Sequence, residues 1–413
     1  MAAFSWNQRL PIKPPTALRL QSTEYESTEF SHRDRHYGHR RHPDPRGDST
    51  RREGVVLRPA NKFPTAALGT IAALLAVSTA AANRDWERFP AVAQFDTASD
   101  VYAVGDVHGD VDRLAALLAG AGLVSRSQSD PREVRWTGGA ATLVVTGDFI
   151  DKGPDPLGVI ALLRSLQDQA PVAGGRVLVL MGNHEAEFLA NPSSEKAAEF
   201  SAKLQAGGIM RGDVASCAEG LGAWLCSLPF AVRMNDWFFS HAGNTSGLGL
   251  DRLSSKLRDA VALAGFGSPE LIGSNSMLEA RIGDHGPNGR SWFDSDGSSA
   301  AAEELLGRYA AALGVHHIVE GHQHQAVHFP DGARRNAGEM FQWRGKLFLI
   351  DVGMSRDIDE SSGAILRITQ SPDSRAFAVC ANGKSTVLWD GRRPPVTGHA
   401  KACGSKESRN SRP

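Results

Sequence analysis

Val101-Tyr-Ala-Val-Gly-Asp-Val-His-Gly109, Thr142-Leu-Val-Val-Thr-Gly-Asp-Phe-Ile-Asp-Lys-Gly153 and Arg176-Val-Leu-Val-Leu-Met-Gly-Asn-His-Glu185 are the stretches that decide the fold. Each is a short apolar run, rich in valine, that empties into a turn of glycine and polar residues, the pattern of a strand ending in a loop. Helical spacing lies between them. Leu114, Leu117 and Leu118 share one face of the first intervening stretch, and Leu157, Ile160, Leu163 and Leu166 share one face of Pro156–Gln169. Strand and helix in alternation predict an α/β protein. In open α/β sheets the loops at the carboxyl ends of strands converge, so a site is expected where these polar turns meet.

The same punctuation continues downstream. Phe230–Met234 and Trp237–Ser240 flank Asn235-Asp236, a hairpin turn by composition, and the second run empties into His241-Ala-Gly243. Ile318-Val-Glu320 leads into Gly321-His-Gln-His324, and further strands are expected at Lys346–Val352 and Ala364–Ile368. Helices are expected near Ser254–Gly265 and Ser299–Leu313, separated by an irregular Gly/Asp-rich loop, Gly283–Gly297. A catalytic domain over 95–395 follows from this pattern, with a polar, disordered tail over 396–413.

The 413 residues carry 45 Lys+Arg against 46 Asp+Glu, a formal net charge of -1. That balance excludes a chain whose main task is to neutralise nucleic-acid phosphates. The 4 cysteines lack CxxC spacing, so no zinc ribbon is encoded, and they are too few for a scaffold built on disulfides. The first 62 residues differ: the segment is basic, without apolar periodicity, with His32, His36, His39 and His42 close together. It reads as a disordered leader, with metal binding by the histidine-rich stretch as the alternative. Residues 63–83 form an uncharged, Ala-rich run ending in Ala80-Ala81-Ala82, with Arg51-Arg52 upstream. A removable targeting segment, part of a two-part organelle leader with a plastid favoured, fits this order; a retained membrane anchor and a buried core helix are the alternatives.

The polar turns carry residue types that two closely spaced cations need. Asp106 and His108 sit two apart on one turn and can grip one ion, a carboxylate at Asp148 can bridge two, and Asn183, His241 and His322 can complete the shell of the second ion. Any one such turn is weak evidence, since a lone histidine after a strand is usually structural. Five in order, each after an apolar run, point to a metal centre. Mn, Fe and Zn all accept this mixture of carboxylate, amide and imidazole. Two divalent ions about 3.5–4 Å apart can lower the pKa of a shared water enough to give hydroxide near neutral pH. Glu185 reads as a structural cap or loop brace.

GDVHGD, GDFIDKGP, GNHE, HAG and GHQ together resemble the ordered signature of the calcineurin-like metallophosphoesterases, in particular their phosphoprotein phosphatase branch. The block WTGGAATLVVTGDFIDKGP and the closing Ile350-Asp-Val-Gly-Met354 are similar to the Shewanella-like, bacterial-type phosphatases, and the resemblance covers roughly residues 100–370. It implies a β-sandwich flanked by helices, with a dinuclear metal site at the carboxyl ends of the strands. It implies a first ion on Asp106, His108 and Asp148, and a second on Asp148, Asn183, His241 and His322. His184 would be the general acid and Asp151 would orient it.

Three positions depart from the family pattern. Lys152 stands where an arginine normally forks onto phosphate, keeping the charge without the bidentate geometry. Asp294 stands where a second arginine is expected after Trp-Phe, leaving Arg290 as a substitute phosphate ligand or a plain surface residue. His324 occupies a position where this branch commonly has proline; as in broader Gly-His-x-His motifs it is a candidate for the first metal, or else an outer-shell or exposed histidine. The function expected is a metal-dependent hydrolase of phosphomonoesters, acting on phosphoprotein at Ser/Thr or Tyr, or on a small phosphoester. The alternatives are a phosphodiesterase or nucleotide hydrolase, and an inactive metal-binding interaction protein. A membrane is a partner only if residues 63–83 are retained.

Overall fold

A computed structural model of the chain describes residues 84–125, 130, 133–283, 298–370, 374–394 and 396–404. The leader, the run 63–83 and Arg290 lie outside the described residues. Along the chain come β1 (Val92–Phe95), β2 (Val101–Val104), α1 (Val111–Gly120), β3 (Thr142–Val145), α2 (Pro156–Gln169) and β4 (Arg176–Val179). Helices α3 (Asn183–Ala190), α4 (Ala198–Ala206), α5 (Arg211–Ala215) and α6 (Gly220–Ser227) precede the hairpin of β5 (Ala231–Met234) and β6 (Trp237–Ser240). Then follow α7 (Leu250–Ala264), α8 (Pro269–Ile272), α9 (Ser299–Leu313), β7 (His317–Glu320), β8 (Val327–His328) and β9 (Arg334–Arg335). The last elements are β10 (Glu339–Trp343), β11 (Leu347–Leu349), β12 (Ile365–Thr369), β13 (Arg375–Val379), β14 (Ser385–Asp390) and β15 (Gly398–Lys401).

Two sheets carry the domain. One has the order β1-β5-β6-β7-β11-β10-β15 and the other β14-β13-β12-β2-β3-β4, while β8 and β9 form a small ribbon. Strands β2, β3 and β4 are parallel, with Val101 opposite Thr142 and Thr142 opposite Arg176. Strands β6, β7 and β11 are parallel in the other sheet. Each parallel set therefore brings its carboxyl ends to one edge. The sheets share a core in which Trp389 of β14 lies 5.8 Å from Trp237 of β6 and 6.3 Å from Phe348 of β11, ring to ring. This is the α/β architecture of two sheets with helices that the sequence predicts. Strands covered on both faces need unbroken apolar runs rather than alternation. In β3, Leu143, Val144 and Val145 are all fully buried, each contributing roughly 1.5–3 kcal/mol relative to exposure.

Local signals explain the helix ends. Asp155 caps α2 by accepting from the Gly158 N–H at 2.8 Å, and Pro156 occupies the first turn. Ser298 caps α9 and Gly314 closes it at φ 66°. Helix α7 begins at Leu250, four residues ahead of the expected Ser254, because the buried stripe already starts at Leu253 and continues through Leu257 and Val261.

The folded region is wider than 95–395. At its start, β1 pairs in parallel with β5, and the Arg84 guanidinium donates to the Cys226, Ser227 and Leu228 carbonyls, satisfying the open end of α6. At its end, the expected tail from 396 is corrected: β15 adds antiparallel to β10, Met340 opposite Ala400, and Cys403 is bonded to Cys380. The second disulfide, Cys217–Cys226, links the segment after α5 to α6. Among the described residues no helix is long and apolar enough to cross a membrane.

Candidate metal centre

The turns after β2, β3, β4, β6 and β7 deliver Asp106, His108, Asp148, Asn183, His184, His241 and His322 to one place. Close approach of these strand ends depends on the glycines before Asp106, Asp148, Asn183 and His322, namely Gly105, Gly147, Gly182 and Gly321. A Cβ on Gly182 would collide with the Asp148 backbone and carboxylate, and one on Gly321 would lie 2.6 Å from Asp106 Oδ1 and Thr146 Oγ1. Three of the candidate ligands are held in the left-handed region that side chains avoid: φ is 43° at His108, 47° at Asp148 and 60° at His322, with Asp151 at 56° and Lys152 at 48°.

Three imidazoles have one nitrogen pinned outward. His108 Nδ1 lies 3.2 Å from the Ile150 carbonyl, His241 Nδ1 3.1 Å from that of Thr146, and His322 Nε2 3.1 Å from that of Glu279. A carbonyl only accepts, so each of these nitrogens carries a proton and the other ring nitrogen faces inward. His241 Nε2 then sits 2.9 Å from Asn183 Oδ1, 3.1 Å from His322 Nδ1 and 3.3 Å from Asp148 Oδ2. Around the other position, His108 Nε2 is 3.7 Å from Asp106 Oδ2 and 4.0 Å from Asp148 Oδ2. Inward-facing carboxylates, imidazoles and an amide oxygen at such distances, all buried, are a cation-binding arrangement, and outward hydrogen bonds on ligand histidines are how such sites fix the tautomer. The groups His108–Asp148–His184 and Asp148–His241–His322 each bring their ligand atoms within 4.8 Å of one another.

The electrostatics agree with that chemistry. Burial holds His108 down to about 3, and burial with the neighbouring His241 holds His322 well below the usual imidazole range, so both are neutral donors. Burial also works against charge on His241, but Asp148 and Asp106 beside it prevail and push it up to about 10. Asp148 goes well below the usual carboxylate range because His241 and His184 outweigh its burial, whereas burial and Asp351 push Asp106 well above it. Protons balance this cluster until cations replace them, and metal binding must release them.

At the rim, His184 is part-buried, with Nδ1 3.0 Å from Asp151 Oδ2 and Nε2 3.8 Å from Asp148 Oδ2. Burial alone would lower its pKa; Asp148 and the Asp151 hydrogen bond reverse the sign and raise it. Asp151 is itself fixed by the Phe200 N–H at 2.9 Å. Glu185 is fully buried beneath the cluster, where its carboxylate accepts from the Gly182, Asp148, Phe149 and Ile150 N–H groups at 2.8–3.1 Å. It is a brace, as its position after Asn-His suggests.

Lys152 is exposed beside the cluster, its N–H bonded to Glu199 at 3.1 Å. His324 is in neither ligand group; its Nδ1 lies 2.9 Å from Glu360 Oε2 and its Nε2 2.9 Å from Gln325 Nε2. Sequence reasoning gave no role to Asp351, which follows β11 and lies fully buried, although the stretch Ile350–Met354 stood out as a motif. It also passed over Glu279, whose side chain reaches Asn183 across 96 positions of sequence. No local pattern marks that residue.

A two-sheet sandwich whose strand ends aim carboxylates, imidazoles and an amide at one point belongs to the class of metal-centre hydrolase folds. Residues 100–326 match the calcineurin-like phosphoesterases, and the chain belongs to that family. Over 92 residues it is 36% identical to Shewanella-like protein phosphatase 2 of Arabidopsis thaliana, covering 22% of this chain and 22% of that protein. Over 89 residues it is 37% identical to a symmetrical bis(5'-nucleosyl)-tetraphosphatase of Cronobacter sakazakii, covering 22% of this chain and 24% of that one. The chain thus spans about a quarter or less of the length of these curated relatives. Its fold is similar to the crystal structure of a cold-active protein-tyrosine phosphatase of a psychrophilic Shewanella, with TM-score 0.54 and 22% identity, covering 71% of this chain and 82% of that one.

Proposed function

We propose that the chain is a metal-dependent phosphatase that hydrolyses phosphomonoesters, with phosphoprotein as its substrate class. The observation that carries this reading is the set of inward-facing ring nitrogens of His108, His241 and His322, fixed by outward hydrogen bonds and joined by Asp106, Asp148 and Asn183. Asp106, His108 and Asp148 would hold one divalent ion, and Asp148, Asn183, His241 and His322 the other. When bound, the pair would polarise phosphoryl oxygens and lower the pKa of water so that hydroxide is available to attack phosphorus near neutral pH.

The remaining steps belong to the chain. Asp151 accepts a hydrogen bond from the Nδ1–H of His184 and so holds the ring with Nε2–H as the proton to give to the leaving oxygen. The raised pKa of His184 keeps that proton available near neutral pH, as a general acid requires. Lys152 supplies an exposed cation beside the cluster for a phosphate dianion, as a point charge rather than a fork.

The test is hydrolysis of para-nitrophenyl phosphate against its bis-ester by the manganese-loaded protein, beside a phosphopeptide panel covering Tyr, Ser and Thr. Monoester turnover well above diester turnover, with phosphopeptides cleaved, is expected. A second reading, a nucleotide hydrolase, draws on the likeness to the bis(5'-nucleosyl)-tetraphosphatase and on Lys152. Faster cleavage of a dinucleoside polyphosphate than of any phosphopeptide would establish it in place of the first. Two bound ions without turnover would leave an inactive metal-binding protein. The two disulfides favour an oxidising compartment, in keeping with residues 63–83 as a targeting segment or anchor; N-terminal sequencing of the protein from its native source tests this.

A further inference from the structure

The segment 273–282 has no regular secondary structure, yet it is tied at its middle and at its last residue to loops of the metal centre. The Ala242 N–H, next to His241, donates to the Met277 carbonyl at 3.0 Å. The Gln323 side chain, next to His322, accepts from the Ile282 N–H at 2.9 Å and donates to the Ile282 carbonyl at 3.0 Å. Inside the segment, Ser276 Oγ donates to the Leu271 carbonyl at 2.6 Å and accepts from the Leu278 and Glu279 N–H groups at 3.2 and 3.1 Å. Met277, Leu278, Ala280 and Ile282 are buried. The segment is a strap fastened to two ligand-bearing loops.

One residue of the strap touches two of the candidate ligands. Glu279 Oε1 accepts from Asn183 Nδ2 at 3.2 Å, and the Glu279 carbonyl accepts from His322 Nε2 at 3.1 Å. The two ends of an asparagine amide are almost equal in size, so hydrogen bonding alone decides which faces a cation. An acceptor at position 279 claims the NH₂ end and turns Oδ1 inward, toward His241 Nε2 at 2.9 Å. The same residue's carbonyl claims the outer proton of His322 and leaves Nδ1 inward, 3.1 Å from His241 Nε2. Both choices favour the ligand-competent form. Lys196, 3.8 Å from Glu279 and paired with Glu187, supplies a cation on the outer side of the carboxylate.

We propose that Glu279 is a positioning residue for the second metal site, selecting the amide orientation of Asn183 through its side chain and the tautomer of His322 through its backbone. The inference rests on the metal-centre part of the phosphatase reading, and its test reads metal binding directly.

Two conservative variants separate reach from charge. Glu279→Asp keeps the charge but withdraws the carboxylate by one methylene; Glu279→Gln loses the charge but keeps an oxygen at the same reach. Stepwise Mn²⁺ binding to metal-depleted protein would be measured by titration calorimetry, with thermal unfolding of each metal-depleted variant alongside. In Glu279→Asp the second Mn²⁺ should bind roughly 10–100-fold more weakly, the usual cost of losing a hydrogen bond behind a metal ligand, with the first ion unchanged. In Glu279→Gln the second ion should stay within about threefold of the parent, because the acceptor is retained. The reverse order, Asp tolerated and Gln not, would mean that charge rather than orientation matters and would overturn the proposal. So would equal loss in both variants, or parental binding of both ions in both, whatever the melting temperatures do. If the parent itself failed to bind two ions, the phosphatase reading would fall first; parental binding and turnover with unaltered variants would remove only the role of Glu279.

Discussion

Replacing Arg335 by lysine tests how the ligand loops are held. Arg335 is fully buried, and its guanidinium donates to four main-chain carbonyls: Nε to Glu339 at 2.9 Å, Nη1 to Gln325 at 3.0 Å and also to Gln323, and Nη2 to Asp351. The side chain thereby joins the loop that carries His322 to the loop after β11. Arg335→Lys retains the positive charge but replaces a planar fork by a compact ammonium on a single atom, which can reach about two of carbonyls spread across the fork. Two hydrogen bonds from a charged donor are then lost at about 1.5–3 kcal/mol each. The sum, roughly 3–6 kcal/mol, is a large share of the 5–15 kcal/mol typical of a domain. The stronger hydration of an ammonium adds to the loss rather than offsetting it. Urea unfolding of metal-depleted parent and variant measures the difference without interference from bound ions, and a melting temperature lower by on the order of 10 °C is expected beside it. A loss below about 1 kcal/mol would show that these carbonyls do not depend on the fork and would refute the reasoning.

Three further outcomes follow from particular groups. Burial pushes Glu320 up to about 8 from 4.5, so the folded state binds its proton more tightly than the unfolded state and stability falls as pH rises across that window; in metal-depleted protein Glu320→Gln should flatten the decline, read as unfolding free energy at pH 6 and pH 8. Because Asp148 and Asp151 raise His184 against its burial, Asp151→Asn should move the alkaline limb of the kcat–pH profile to lower pH while leaving ion binding intact; an unmoved limb would deny Asp151 its orienting role. Cys403→Ser opens a loop of sequence separation 23, worth roughly 3 kcal/mol on chain entropy, and should lower the denaturation midpoint and expose the β15 amides to hydrogen exchange before those of β3.

Much of the centre was legible because its signals are local. A valine-rich run, one or two small residues and a polar ligand can all be read within about ten positions, and the register of β2, β3 and β4 brings those turns side by side. Helices α2 and α9 were legible for the same reason, having caps and apolar stripes written into adjacent residues. What escaped depends on contacts between distant segments. Strand β15 is short and polar, with only Ala400 of its four residues buried, so nothing in Gly398–Lys401 announces a strand until β10 offers an edge. Glu279 and Arg335 carry no motif of their own, and Asp351 stood in one without a role; each matters through backbone or side-chain groups that only the assembled loops bring near.

The turns that were easiest to read are also those that fold least willingly. A non-glycine residue in the left-handed region costs of order 1–3 kcal/mol, and the centre holds five: His108, Asp148, Asp151, Lys152 and His322. Local preference would relax each of them, so the surroundings must overrule it. At Asp148 the restraint can be traced atom by atom: its carbonyl accepts from the Val107 and His108 N–H groups at 3.1 and 2.9 Å, its N–H is held by Glu185 at 2.9 Å, and its Oδ1 takes the His184 N–H at 3.1 Å. Those bonds tie the first, second and third polar turns to one another. Strain at one ligand is therefore offset by groups from the neighbouring loops, and relaxing any single turn would loosen the others. The inward carboxylates and imidazoles repel or compete for protons as well, so the cluster has no reason of its own to stay closed. A fold that spends stability in this way at the ends of β2, β3 and β7 is organised around the cations that its inward carboxylates and imidazoles would hold.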